Sequence, residues 1–179
     1  MAERALLIID IQNDYFPGGT MELEAPEPAA ALAARALAHF RQHGWPIFHM
    51  QHVSVRRGAT FFLPGTPGVE IHESVRPREG ETILEKNFPN SFRHTALESL
   101  LRKRGVDELV VAGMMTHMCV DATVRQAADL GYGVTLLGDA CATRTQSYNG
   151  EKVPARQVHA AFLAALNGFY AKVISAREL

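Results

Sequence analysis

Short apolar runs alternate with longer amphipathic stretches along most of the chain. The first run, residues 5–10, is rich in leucine and isoleucine without polar alternation, which is typical of a strand buried on both faces. Runs of this kind predict six strands, at residues 5–10, 45–51, 81–87, 107–113, 132–140 and 171–176. Stretches with a helical period predict four helices, at residues 25–44, 94–105, 117–131 and 154–168. This alternation favours an α/β fold in which helices cover both faces of a parallel sheet.

The one long irregular segment, residues 53–81, contains several glycines and prolines and the aromatic pair Phe61 and Phe62. A loop of this length inside a compact domain is usually functional or disordered. Ligands of open α/β sheets bind beyond the carboxyl ends of the strands. We therefore expect any chemistry at the ends of the first, third and fourth strands, within reach of this loop.

The composition narrows the class of protein. With 179 residues, 47% of them hydrophobic and 21% charged, the chain is predicted to be one globular domain over residues 1–179. Its formal net charge of −1 gives no reason to expect nucleic acid or an anionic membrane as a partner. We expect no secretory signal, because the first apolar run is short and ends at Asp10, and no apolar run approaches the roughly 18 residues of a membrane span. Cys119 and Cys141 could pair, but two cysteines do not make a disulfide framework, so we expect a reduced, cytoplasmic protein.

Three reactive side chains lie at predicted strand ends. Asp10 closes the first strand, Lys86 lies near the end of the third, and Cys119 follows the fourth at the start of a helix. A helix start and a nearby cation both lower the pKa of a thiol, which favours the nucleophilic thiolate. Asp10 could accept the thiol proton and return it to a leaving amine. Backbone N–H groups at the helix start, such as those of Met115 and Cys119, could hold an oxyanion.

Each of these side chains also has a purely structural interpretation. A single cysteine in an apolar setting is more often inert core. Asp10 could cap the turn that follows its strand, and an isolated lysine such as Lys86 usually lies in solvent. Their joint position at one edge of the sheet favours catalysis without defining a reaction.

Three motifs resemble those of a known family: LLIIDIQNDYF around Asp10, EKNFPNSF around Lys86 and VVAGMMTHMCVDATVRQAADLGY around Cys119. Together they resemble the isochorismatase-like cysteine hydrolase superfamily, which includes nicotinamidases and other small amidases, over nearly the whole chain. The resemblance implies a Rossmann-like three-layer sandwich around a six-stranded parallel sheet, assembled as a homo-oligomer of two or more chains. It also implies a catalytic triad of Asp10, Lys86 and Cys119.

The resemblance further implies a cis peptide bond between Met114 and Met115, and an oxyanion hole formed by the amides of Met115 and Cys119. The implied reaction is acyl transfer to Cys119. Asp10 relays the thiol proton to the departing amine, Lys86 holds both groups in place, and water hydrolyses the resulting thioester. Isochorismatases proper generally lack this cysteine, so Cys119 favours cleavage of a C–N bond.

The chain departs from nicotinamidases at their metal site, where those enzymes carry an Asp-x-His pattern after the second strand. Here Gln51 stands near the place of the aspartate. His49, His52 and His72 remain, but histidines without a carboxylate are a weak ligand set. We therefore expect neither a metal ion nor another cofactor.

Aromatic and histidine side chains on segments near the proposed site are candidates for a substrate pocket. We expect five of them to line it: Phe16, His52, Phe62, Phe88 and His117. Aromatic residues on loops, Tyr15 and Phe61 among them, can instead be lids of the core. A pocket of this kind favours a small, flat or apolar amide as the substrate.

Two other functions stay open. An isochorismatase-type vinyl-ether hydrolase would need Asp10 alone and would release pyruvate rather than ammonia or an amine. A redox-responsive or binding protein would use Cys119 as an oxidisable thiol. Such a protein would not need Asp10 and Lys86 beside the thiol, and no resolving cysteine is evident.

Overall fold

A computed structural model describes residues 3–179 of the chain. The strands are β1 (Glu3–Ile9), β2 (Ile47–His52), β3 (Thr82–Lys86), β4 (Val106–Met114), β5 (Gly133–Ala142), β6 (Gln146–Tyr148), β7 (Glu151–Val153) and β8 (Lys172–Ile174). The helices are α1 (Pro26–His43), α2 (Leu97–Lys103), α3 (Asp121–Asp129) and α4 (Ala155–Leu166). Six strands form a wholly parallel sheet in the order β3-β2-β1-β4-β5-β8. Over the described residues, none of the helices is both long and apolar enough to cross a membrane.

Alternate residues of the inner strands face opposite layers of the core. Leu6 and Ile8 of β1 pack in the layer that contains α1, whereas Leu7 and Ile9 pack in the layer that contains α2 and α3. Because both faces of β1 are buried, the strand is a continuous apolar run rather than an alternating one. The predicted three-layer α/β sandwich with six parallel strands is confirmed.

The direction of winding reverses between β1 and β4, which are neighbours in the sheet although they are far apart in sequence. In open α/β sheets, the crevice at the carboxyl ends of such a pair is the usual ligand site. Gly113 permits the close approach of the two strands there. A Cβ atom at this position would lie 2.1 Å from the carbonyl oxygen of Ile9.

Two elements differ from the sequence prediction. The predicted helix 117–131 begins instead with a π-helical turn, Thr116–Val120, and α3 follows only from Asp121. The second difference is the antiparallel hairpin of β6 and β7, which the apolar pattern misses because both strands are largely exposed. Its Asn149-Gly150 turn, with φ angles of 51° and 83°, is nevertheless a strong hairpin signal.

The long segment 53–81 packs against the body of the domain. It contains two short 3₁₀ helices, Pro67–Val69 and Glu73–Val75. Ile71 forms a β-bridge with Gln12, and Phe62 is fully buried. The segment therefore lies against the chain that follows β1, where the sequence predicts the site.

Candidate active site

The three predicted catalytic side chains meet at the carboxyl ends of the strands. Asp10 directly follows β1, Lys86 is the last residue of β3, and Cys119 lies in the π-helical turn after β4. Lys86 Nζ lies 2.7 Å from Asp10 Oδ2. A carboxylate oxygen of Asp10, Cys119 Sγ and a ring nitrogen of His52 all lie within 4.8 Å of one another. Each of the three predicted residues is at most 4% exposed, so the reactive groups share one buried site.

Lys86 is a fixed positive charge in this site. Its strand is separated from β1 by β2, so its side chain reaches past the end of β2 to Asp10. Nζ also donates to the Phe88 carbonyl at 3.0 Å and to His52 Nδ1 at 3.1 Å. Burial alone would lower the pKa of Lys86, but Asp10 and Cys119 raise it above its ordinary value. The ammonium is therefore surrounded by one carboxylate and two hydrogen-bond acceptors.

His52 is the register partner of Lys86 at the end of β2. Burial lowers the pKa of His52 to about 4, although Asp10 opposes this effect, so the ring is neutral at pH 7. Because the ammonium of Lys86 can only donate, Nδ1 accepts and the ring proton lies on Nε2. His52 thus supports Lys86 through one nitrogen and keeps a donor on the other.

Cys119 is a neutral thiol in the resting site. Burial, and then the negative charge of Asp10, raise the pKa of Cys119 well above its ordinary value, and Lys86 only partly offsets them. Lys86 lowers this pKa as expected, but the net shift is upward, because Asp10 already neutralises Lys86 and a thiolate would be an excess buried charge. Cys119 therefore needs a base during attack. Asp10 is close enough to serve, and its Oδ1 has no hydrogen-bond partner within residues 3–179.

The turn that precedes Cys119 carries an unpaired backbone N–H. The peptide bond between Met114 and Met115 is cis, as the resemblance implies. The Met115 carbonyl accepts from the N–H groups of Met118 and Val120 at 3.0 and 3.2 Å. The Met115 N–H, in contrast, has no acceptor in the part of the chain that the structure describes. An unpaired N–H beside a buried thiol can bind the oxygen of a substrate carbonyl.

Two residues outside the three motifs, Thr143 and His159, anchor this turn. Thr116 Oγ1 donates to the Ala142 carbonyl at 3.2 Å and lies 2.9 Å from His159 Nδ1. His117 Nδ1 is hydrogen-bonded to Thr143 Oγ1. Sequence reasoning missed Thr143 and His159, because they lie 26 and 43 positions from their partners and leave no trace in a local pattern.

Phe62 and Tyr15 form an aromatic cover at the site. The ring centre of Phe62 lies 5.8 Å from that of His52 and 4.6 Å from that of Tyr15. Phe62 has a left-handed backbone, with φ of 54°, and its N–H donates to Asp14 Oδ2 at 2.6 Å. Burial raises the pKa of Tyr15 well above its ordinary value, with a contribution from nearby Cys119. Tyr15 therefore belongs to the wall of the site, although it was not among the five predicted pocket residues.

Phe16 and Phe88 are engaged by other side chains. The ring of Phe16 stacks on His72 with a centroid distance of 3.6 Å. The ring of Phe88 lies against the Arg93 guanidinium at 3.7 Å, and it is the backbone carbonyl of Phe88 that contacts Lys86. Contact of these two rings with a substrate, like that of His117, stays a prediction.

The triad is closed to solvent in this structure. A surface cavity of about 880 Å³ is lined by residues 20–24, residues 144–147 and Lys152, away from the three side chains. Asp10, Lys86 and Cys119 are at most 4% exposed. A substrate must therefore displace part of the cover to reach the thiol.

The histidines considered as metal ligands do not come together. His49 and His72 are hydrogen-bonded elsewhere, to Glu81 and Ser74. In the range 3–179, the metal-ligand types that do cluster are Asp10, His52 and Cys119. The ammonium of Lys86 already contacts two members of this cluster, so the chain itself supplies the cation there.

Known proteins share both the sequence and the fold of this chain. The isochorismatase domain profile matches residues 4–178. An uncharacterized isochorismatase family protein of Bacillus subtilis, YddQ, is 58% identical over 169 residues, which cover 94% of each protein. The chain belongs to the isochorismatase family.

This isochorismatase-family chain is also similar to the crystal structure of an isochorismatase from Pseudomonas putida, with a TM-score of 0.92. The two chains are 36% identical, and the match covers 99% of this chain and 90% of that one. Ureidoacrylate amidohydrolase RutB of an Enterobacter species is 30% identical over 169 residues, covering 76% of this chain and 74% of that enzyme.

Proposed function

We propose that this isochorismatase-family chain is a cysteine-dependent hydrolase that cleaves the C–N bond of a small amide-type substrate through a thioester acyl-enzyme. The observation that carries the proposal is the buried cluster of Cys119, Asp10 and Lys86 beside the unpaired N–H of Met115. A nucleophile, a base and an oxyanion donor are the groups that acyl transfer needs. The relative named ureidoacrylate amidohydrolase supports the class of bond.

In acylation, the substrate carbonyl carbon approaches Cys119 Sγ while its oxygen accepts from the N–H groups of Met115 and Cys119. Asp10 takes the thiol proton as the sulfur attacks, so a free thiolate need not exist in the resting site. The tetrahedral intermediate collapses when Asp10 gives that proton to the leaving nitrogen, which departs as ammonia or an amine. Lys86 stays protonated and stabilises the negative charge as it passes between Asp10 and the sulfur.

In deacylation, water attacks the thioester carbonyl while Asp10 accepts one of the water protons. The same two N–H groups hold the second oxyanion. Its collapse releases a carboxylic acid, and the proton on Asp10 returns to the sulfur of Cys119. One water molecule is consumed, and the protein ends in its starting protonation state.

Two observations favour this function over the alternatives. A vinyl-ether hydrolase needs an acid but no thiol, whereas Cys119 lies in contact range of Asp10. A redox switch that works through a disulfide needs a second cysteine as the partner of its thiol. Cys141 Sγ donates instead to the Leu137 carbonyl at 3.4 Å, and both cysteines are free.

The test is a screen of small amides, carbamates and ureido compounds in which release of ammonia, amine and pyruvate is measured. Cys119→Ala is expected to abolish hydrolysis because it removes the nucleophile. Cys141→Ser is the matched control, since Cys141 is as buried as Cys119 but lies outside the triad. Full activity in Cys119→Ala, or pyruvate as the sole product, would contradict the proposal.

A homo-oligomer and a reducing, cytoplasmic location belong to the same proposal. The first rests on the resemblance to oligomeric relatives, and light scattering of the purified chain measures it. The second suits a mechanism that needs Cys119 as a free thiol.

A further inference from the structure

The turn that carries the Met115 N–H is held in place without the use of that N–H. Buried backbone groups normally fix a segment through their own hydrogen bonds. A donor reserved for a substrate cannot take part in this. The Met115 carbonyl is held by the N–H groups of Met118 and Val120. The next residue, Thr116, is held through its side chain.

Thr116 is completely buried and joins two other elements of the fold. Its Oγ1 lies 3.2 Å from the Ala142 carbonyl oxygen at the end of β5 and 2.9 Å from His159 Nδ1 in α4. Oγ1 can donate to the Ala142 carbonyl and accept from a ring N–H, or donate to His159 Nδ1, so His159 is a hydrogen-bond partner of Thr116 in either tautomer of its ring. A chain of polar contacts thus runs from α4 through the turn to β5.

His159 acts on the site through this hydrogen bond rather than through charge. Burial lowers the pKa of His159, and the Gly138 backbone only partly opposes the effect, so the ring is neutral at pH 7. Removal of the side chain therefore takes away a support of the turn without changing the charge beside the triad.

We propose that His159 is a positioning residue for the oxyanion hole: by holding Thr116, it fixes the direction of the Met115 N–H relative to Cys119. The inference rests on the proposed function and adds a residue of α4 to the groups that control its rate. A small misplacement of an oxyanion donor weakens its bond to the developing negative charge. The thiol itself lies outside this chain of polar contacts, so its intrinsic reactivity should stay unchanged.

Three variants in α4 separate this role from folding. His159→Ala removes the hydrogen-bond partner of Thr116 in α4. His159→Asn returns an amide group near the place of Nδ1, which can donate to or accept from the Thr116 hydroxyl. Gln157→Ala is the matched control, because Gln157 is an exposed residue of the same helix.

Two reagents separate the oxyanion hole from the reactivity of the thiol. Acetaldehyde adds to Cys119 as a hemithioacetal, in which the thiol proton ends on the former carbonyl oxygen, at the place of the oxyanion. Methyl methanethiosulfonate transfers its methylthio group to the sulfur of Cys119 and releases methanesulfinic acid, so it needs no oxyanion hole. Acetaldehyde affinity is measured as protection of the Cys119 peptide from methylthiolation, read by mass spectrometry.

We expect His159→Ala to weaken acetaldehyde affinity by about tenfold and to lower kcat by about tenfold. The rate of methylthiolation should change by less than about twofold. His159→Asn should recover most of the lost affinity and kcat. Equal acetaldehyde affinity in His159→Ala and Gln157→Ala would overturn the inference. So would a parallel loss of methylthiolation, which indicates a general disturbance of the site.

The same measurements distinguish this inference from the proposed function. If the wild type hydrolyses no amide but the acetaldehyde affinities follow the expected order, the proposed function fails and the positioning role stands. If wild-type Cys119 is methylthiolated but binds no acetaldehyde, the oxyanion hole is absent and the inference is wrong.

Discussion

The two histidines of β2 belong to two different clusters of charged side chains. The carboxylate of one cluster is fully paired, whereas the carboxylate of the other has an unpaired oxygen. His49 and His52 are three residues apart and so face opposite sides of the sheet. His49 Nε2 bonds to Glu81 at 2.8 Å, whereas His52 Nδ1 accepts from Lys86 at 3.1 Å. In the first cluster, both oxygens of Glu81 are paired, one with Arg41 Nε at 2.6 Å and the other with several donors.

The pKa shifts of Glu81 and Cys119 differ because the carboxylate is fully hydrogen-bonded in the first cluster and not in the second. Although burial alone would raise it, the pKa of Glu81 is held at about 2 by Arg41, the Arg78 N–H and His49. In the triad, Asp10 Oδ1 is unpaired, and burial and Asp10 raise the pKa of Cys119. A carboxylate with both oxygens paired stabilises the fold, whereas one with an unpaired oxygen stays available as a base.

Among substitutions that keep Cys119, Asp10→Asn is expected to have the largest effect, a loss of about 10³-fold in kcat/KM, because an amide cannot accept the thiol proton. The buried ammonium of Lys86 would also lose its counter-charge, so the free energy of unfolding should fall by roughly 3 kcal/mol. The double variant Asp10→Asn, Lys86→Met should regain most of the stability and none of the activity. Amide hydrolysis and urea unfolding measure the two effects, and a double variant as unstable as the single one would rule out the lost ion pair as the cause.

Glu81→Gln is expected to show the reverse pattern. Its side chain is 9% exposed, and loss of its charged hydrogen bonds should lower the free energy of unfolding by roughly 2 kcal/mol. Its kcat/KM should change by less than about threefold, because Glu81 lies on the α1 side of the sheet. A large loss of activity in this variant would break the distinction between the clusters.

The pH dependence of stability sharpens the role of Glu81. The pKa of Glu81 in the folded chain, about 2, lies below its ordinary value of 4.5. Its stabilisation is therefore complete above pH 4.5 and is lost as the pH falls toward 2. As the pH falls over this range, the free energy of unfolding measured in urea should decrease less for Glu81→Gln than for the wild type. Identical pH dependences would contradict the assignment.

His52 substitutions are expected to lower activity much less than Asp10→Asn does. His52→Ala should lower kcat/KM by about tenfold, because Lys86 loses one acceptor. His52→Asn should lower it by less, because its amide oxygen can still accept.

The pKa of His52 is about 4 in the folded chain, below the ordinary 6.5. The stabilisation that comes from the neutral ring is therefore complete above pH 6.5 and is lost as the pH falls to 4. Stability measured by unfolding should depend less on pH in His52→Asn across that range, and an unchanged slope would show that His52 is not buried as a neutral ring.

The position of the triad could be predicted from the sequence, but the state of its thiol could not. Asp10, Lys86 and Cys119 each follow or end a strand, and the carboxyl ends of parallel strands meet by topology alone. The raised pKa of Cys119 depends on burial and on the prior pairing of Lys86 with Asp10, which no local pattern records. The contact of His159 with Thr116 is hidden for the same reason, since it joins residues 43 positions apart.

The measurement that tests the central claim most directly is the mass of the wild-type protein quenched in acid during turnover of its best amide substrate. A thioester mechanism predicts that the mass of the acyl group replaces that of one hydrogen on the peptide that contains Cys119, with no such adduct in an inactive Cys119→Ala variant. Turnover without an adduct on Cys119, together with an active Cys119→Ala variant, would contradict the account.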